Sequence, residues 1–267
     1  MKKYSFKLGC CVNMLVENKS PGESQLPHLI ELGYDYAELP LAQMMDLSEQ
    51  DFSKLRQNIH DIPVEACNNF FPAKIRLTGE EVQMERTLDY VKRATNRAAA
   101  LGVRIIVLGS SGAKNIPENF PYQKAEEQFI ILLHALQDIV APLDITIALE
   151  PLNKTESNFI NNLSEGLEIM HRVNCSHIKI LADYYHMRME DEDMQIISQA
   201  GGDLRHVHIA AKNGRLFPKE DDGEDYPAFF QALKDIGYQG RVSIEASTKD
   251  IIADGAASAT LLRPMMG

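Results

Sequence analysis

ITIALEP at Ile145–Pro151 and IKILADYYHM at Ile178–Met187 are short runs of apolar and β-branched residues, and each meets a carboxylate where its apolar stretch stops, Glu150 and Asp183. Near-continuous apolar runs of this length suit parallel strands covered on both faces. Between them SEGLEIMHRV, Ser164–Val173, reads as an amphipathic helix opening on a Ser and a Glu. Strand, helix and strand within about 30 residues make a βαβ unit.

The same alternation extends in both directions. Further strands are expected at Phe6–Asn13, Tyr36–Leu39, Val64–Phe70, Arg104–Gly109, His206–Ala210 and Arg241–Glu245, eight in all with the first two. Helices are expected over Thr78–Leu101, acidic at its start and followed by Gly102, and over Lys124–Val140, followed by Pro142. Two more are expected over Pro227–Ile236, which begins on a proline and stops at Gly237, and over Ile251–Leu262. Eight βα units in roughly 250 residues is the size of a (β/α)8 TIM barrel. The fold class is therefore α/β, with one barrel domain spanning residues 1–267. An open doubly wound sheet would announce a Gly-rich phosphate loop, and neither GxGxxG nor GxxxxGK[ST] occurs.

The formal net charge of −11 would repel a nucleic-acid backbone, and no Lys/Arg run segregates enough positive charge to offset it. No stretch approaches the roughly 20 apolar residues of a membrane span, and the N-terminus lacks an apolar signal-peptide core. Cys10, Cys11, Cys67 and Cys175 show no CxxC or zinc-ribbon spacing, and read as buried reduced thiols of a cytoplasmic protein.

Active sites of such barrels lie at the C-terminal ends of the strands. The fifth to eighth strands bring Glu150, Asp183, His208 and Glu245 to that rim, spaced by about one βα unit each. One acid after a strand is commonplace; four consecutive strands with such residues imply a shared site. Three carboxylates packed together repel and shift one another's pKa, and a divalent cation resolves the conflict. An oxygen-rich set with one imidazole suits Mn2+, Mg2+ or Co2+, with Zn2+ also compatible. Glu38, Asn13 and Cys67, with Asn68, end strands on the other side and are candidate pocket walls. His206 shares a strand face with His208 and reads as a buried structural residue. Lys212, Arg215 and Lys219 follow the seventh strand, where barrels often hold phosphate; a partly solvated mixed-charge loop is the alternative, since acids follow at once.

The segments Ala148–Asn153 (ALEPLN) and Ala182–Met187 (ADYYHM), with His206-Val207-His208 and Ser243-Ile244-Glu245, resemble the xylose isomerase-like sugar isomerase/epimerase superfamily. Within it they look most like ketose 3-epimerases of the tagatose/psicose epimerase type. The resemblance is clearest over Ile145–Ala246. It implies Glu150, Asp183, His208 and Glu245 as metal ligands, Mn2+ above all. Glu150 and Glu245 are then the acid/base pair as well. It also implies substrate contacts from Glu156, His186 and Arg215, and a homodimer or homotetramer.

The activity so implied is proton transfer beside a ketone through a cis-enediolate, with epimerisation when two glutamates serve opposite faces. On the same scaffold a dehydratase of keto-inositol or dehydroshikimate type, or a hydroxypyruvate isomerase, uses the same metal. A DNA-repair endonuclease of this fold would need more rim histidines and a basic groove. A non-catalytic sugar-binding barrel would have little reason to keep both Glu150 and Glu245.

Overall fold

The computed structural model describes residues 6–12, 26–59 and 62–267. Eight parallel strands close on themselves in sequence order: β1 (Lys7–Cys11), β2 (Tyr36–Pro40), β3 (Val64–Asn68), β4 (Ile105–Leu108), β5 (Thr146–Leu149), β6 (Ile178–Asp183), β7 (Leu204–Ile209) and β8 (Arg241–Ile244). Closure is made by β1 pairing with β8, Cys10 opposite Ile244. Helices lie between the strands, and the architecture is a single TIM barrel.

Strand alternation sorts the side chains into two cores. Tyr36, Ala66, Ile105, Val107, Ala148 and Leu181 fill the barrel interior. Cys10, Ala37, Leu39 and Cys67 belong to the larger core outside it, under the helices. Tyr36 spans the interior from β2 to β8, where its hydroxyl meets Ser243 Oγ at 2.7 Å. That ring requires Gly9: a Cβ there would lie 2.2 Å from Tyr36 Cζ.

The expected elements are all present, with shifted ends. Helix Met84–Ala100 begins six residues later than Thr78. Gly79 has φ +102 and its N–H and C=O bond to the Gln128 side chain, so this stretch runs as a loop tied to the helix Tyr122–Val140. Helix Leu163–Val173 is capped by Asn162, whose side chain accepts from the Glu165 N–H at 2.9 Å. The last helix runs on to Met266, through Pro264. No helix among the described residues is long and apolar enough to cross a membrane.

Candidate active site

Three carboxylates and one imidazole converge at the C-terminal rim. Glu150 follows β5, Asp183 ends β6, His208 is the penultimate residue of β7, and Glu245 follows β8. One potential ligand atom from each lies within 4.8 Å of all the others. His208 Nδ1 faces Glu150 Oε1 at 3.1 Å and Glu245 Oε2 at 3.3 Å. Gly109 makes room for this: a Cβ there would stand 2.0 Å from Glu150 Oε2.

The electrostatics are asymmetric. Burial raises the Glu150 carboxyl, the Glu245 charge adds to that, and His208 only partly opposes it. Burial also pushes Glu245 up, but His208, Arg215 and the Asn68 hydrogen bond outweigh it and hold it well below the usual range. Asn68 Nδ2 donates to Glu245 Oε1 at 2.6 Å. Asp183 is raised to about 6, by burial first, against Arg215 and His208. Burial pushes His208 down, yet Glu38 and Glu245 raise it well above its ordinary value. The carboxylates thus demand positive charge at this point, and the three-oxygen, one-nitrogen donor set fits a hard or borderline divalent cation.

Glu38 does not line the pocket. It lies two residues before the end of β2, pairs with Cys11 and Ala66, and is fully buried beneath the rim. Its Oε1 meets His208 Nε2 at 3.0 Å; its Oε2 meets His206 Nε2 at 2.7 Å and accepts from Ser243 Oγ at 2.5 Å. Burial pushes its carboxyl up, but the two histidines outweigh this and hold it far below the carboxylate range. With both oxygens taken, Glu38 fixes the His208 ring so that Nδ1 faces the cluster, a carboxylate–histidine support familiar from metal sites. Cys11 Sγ, Glu38 and His208 also approach one another within 4.8 Å. That group is the underside of the first one.

Cys67 is likewise corrected: its neighbour Ala66 faces the barrel interior, so Cys67 points outward into the helix-facing core with no exposed surface. Asn68, one residue on, is the β3 residue that reaches the site. Asn13 lies outside the described residues. Cys11 is only partly buried and lines a cleft of about 410 Å3 with Asn68, Asn69, Arg215 and Glu245. All four cysteines are free thiols.

His186 sits on the short helix after β6. Its Nδ1 accepts from the Asn153 backbone N–H at 3.1 Å and side-chain Nδ2 at 2.8 Å, which puts the proton on Nε2. Burial lowers its pKa, so the ring is neutral. Its Nε2 lies 3.5 Å from Asp183 Oδ2 and has no hydrogen-bond partner among the described residues. Asn153 Nδ2 also donates to Glu156 Oε1 at 3.1 Å. Asn153 thus couples two expected substrate contacts, and it lies in the quoted strand-five segment without having been singled out.

Arg215 enters from the loop after β7. Gly214 and Arg215 have φ of +73 and +49, making a tight turn that brings Ala211 opposite Leu216. The guanidinium lies 4.8 Å over the Tyr185 ring, donates to Glu245 Oε2, and lies 3.5 Å from both Asp183 Oδ2 and Glu156 Oε2. The rest of the basic group disperses: Lys212 pairs with Asp191 and Lys219 with Asp254, each at 2.9 Å.

A closed parallel barrel with this rim is a TIM barrel whose β5–β8 face gathers a four-residue metal-competent cluster. The profile of the xylose isomerase-like TIM barrel family matches residues 27–263, and the chain belongs to that family. Within it the chain is similar to proteins named as ketose and sugar epimerases. It is 25% identical over 223 residues to D-psicose 3-epimerase of Enterocloster bolteae, covering 80% of this chain and 73% of that one. It is 32% identical over 114 residues to 3-dehydro-D-guloside 4-epimerase of Escherichia coli, covering 42% of this chain and 43% of that one. The solved structure of D-allulose 3-epimerase from Methylomonas sp. in complex with D-allulose has the same fold, with TM-score 0.85 at 19% identity over 98% of both chains.

Proposed function

We propose that this chain is a divalent-metal-dependent epimerase of a ketose or related keto-polyol, working through a cis-enediolate. The observation that carries the reading is the convergence of two glutamates from different strands on one cation-competent point of the rim: one atom each of Glu150, Asp183, His208 and Glu245 lies within 4.8 Å of the others, and His208 Nδ1 lies 3.1 Å from Glu150 and 3.3 Å from Glu245. Two carboxylates flanking one point are placed to serve as an acid/base pair.

Glu150, Asp183, His208 and Glu245 would hold the cation, with Mn2+ the expected metal. When bound, it supplies Lewis-acid polarisation of the ketone oxygen. Glu245 takes the proton from the carbon beside the carbonyl, and the Glu150 carboxyl returns one to the opposite face. The C–H bond broken on one face is replaced by a C–H bond on the other, with no net gain or loss of electrons. His186 Nε2–H, without a partner among the described residues, donates to the substrate oxygen on which charge develops. Arg215 and Glu156 orient the remaining hydroxyls.

The test is proton exchange. The Mn2+-loaded protein is incubated in D2O with free ketohexoses, ketopentoses, 3-keto-glycosides, hydroxypyruvate and keto-inositols, and followed by NMR. Deuterium entering beside the carbonyl together with a new epimer is the expected outcome. Exchange accompanied by loss of water would transfer the assignment to a dehydratase. No exchange in any compound, with Mn2+ bound, would overturn the epimerase reading.

A further inference from the structure

Lys114 is the only lysine or arginine among the described residues with no exposed surface. It closes a one-turn helix, Ser111–Lys114, that follows β4. A buried ammonium is costly to desolvate, and burial pulls this one down to about 7 against the attraction of Glu150, Glu165 and Glu156. A position that served packing alone would hold an apolar side chain at lower cost. The ammonium has one hydrogen bond among the described residues: Nζ donates to the backbone carbonyl of Glu150 at 2.9 Å.

The segment that delivers Lys114 is itself tied down. Thr78 Oγ1 donates to the carbonyls of Lys114 at 3.1 Å and Asn115 at 2.9 Å. The Arg76 guanidinium donates to the carbonyls of Gly112 and Asn115. Ser110, at φ +35, accepts from the Phe71 N–H at 3.0 Å. One residue past Lys114, Asn115 engages the far end of the Glu150 loop. Its Nδ2 donates to the Glu156 carbonyl at 3.3 Å, and its Oδ1 accepts from Ser157 Oγ at 2.7 Å. Adjacent residues of the β4 loop therefore grip the backbone of Glu150 and of Glu156, and the residues after β3 brace that loop.

We infer that Lys114 is a positioning residue, whose ammonium holds the peptide carbonyl of Glu150 and so sets where that carboxylate stands in the rim cluster. The inference rests on the proposed role of Glu150, but metal affinity reads it independently of turnover. Lys114→Met leaves the Glu150 carbonyl buried without a donor, so the strand end relaxes.

The experiment compares wild type and Lys114→Met by circular dichroism, calorimetric Mn2+ titration, and kcat and KM on the ketose that wild type epimerises. Expected is a native spectrum, with Mn2+ affinity and kcat each lower by about 10- to 100-fold, as for supports of metal ligands elsewhere. KM should stay within about twofold, since Lys114 touches no substrate-facing side chain. A variant that binds Mn2+ and turns over like wild type overturns the inference. Should Lys114→Met fail to fold, Thr78→Val decides. It removes only the hydroxyl that ties Lys114 and Asn115; a loss of roughly 3- to 10-fold in Mn2+ affinity supports the inference, and unchanged affinity overturns it. If wild type binds Mn2+ but epimerises nothing, the functional reading fails while the affinity ratio still decides the role of Lys114. If wild type binds no Mn2+, both fall.

Discussion

The β5–β8 side of the barrel and the β1–β3 side are made from the same kind of strand, yet they hold their carboxylates at different depths. Glu150, Asp183 and Glu245 stand at the end of a strand or one residue beyond it, and they meet at the rim. Glu38 stands two residues short of the end of β2, and this places it beneath the rim with every acceptor used. An acid at the rim is available to a cation or a substrate, whereas an acid one layer down supports the groups above it.

The largest effect that would sharpen this contrast comes from Glu245→Gln. Removing the proposed base should lower kcat by about 10²- to 10⁴-fold while the barrel stays folded. Full activity of this variant would break the rim half of the comparison. Next is Gly109→Ala, which inserts a methyl where Glu150 Oε2 now lies. Displacing that carboxylate by about 1 Å should cost on the order of 10²-fold in kcat, with Tm changing less than for a core cavity. Unaltered kinetics would mean that the position of the Glu150 side chain does not matter to turnover.

Glu38→Gln addresses the deeper layer. Breaking its buried charge pairs should destabilise the protein by about 3 kcal/mol and weaken Mn2+ binding about tenfold. A rise in ketose KM with unchanged stability would put Glu38 back in the pocket wall. The same residue predicts a pH dependence. Folded Glu38 stays ionised well below its ordinary value, so between the two values the unfolded chain binds more protons and stability rises with pH. Its contribution is complete above about pH 5 and is lost as pH falls toward the folded value. Urea melts from pH 6 to 3 should therefore be steeper in pH for wild type than for Glu38→Gln. The smallest effect is expected from Cys67→Ala, about 1 kcal/mol of stability and no change in KM, because this thiol faces the helices. A changed substrate preference would contradict that placement.

Much of the β5–β8 site is legible in the sequence because each candidate ligand sits within one residue of the end of its own strand. Reading the strand ends in order is then enough to group Glu150, Asp183, His208 and Glu245. Glu38 and Cys67 were less legible for a reason of register. The run YAELP continues two residues past Glu38 before the strand ends, and VEACN alternates so that Ala66 and Asn68, not Cys67, turn inward. A one-residue change of parity moves a side chain from one face of a strand to the other.

By itself the sequence determined the alternation of strands and helices, the barrel that eight such units form, and the rim residues of its second half. These follow from local periodicity, which a single chain segment expresses without its neighbours. Only the tertiary structure decided which side chains share a layer: that Tyr36 reaches Ser243, that Glu38 lies under His208, that Arg215 turns into the cluster, and that Lys114 grips Glu150. Those contacts join residues from distant units, and they depend on strand register and loop course, which no local pattern encodes.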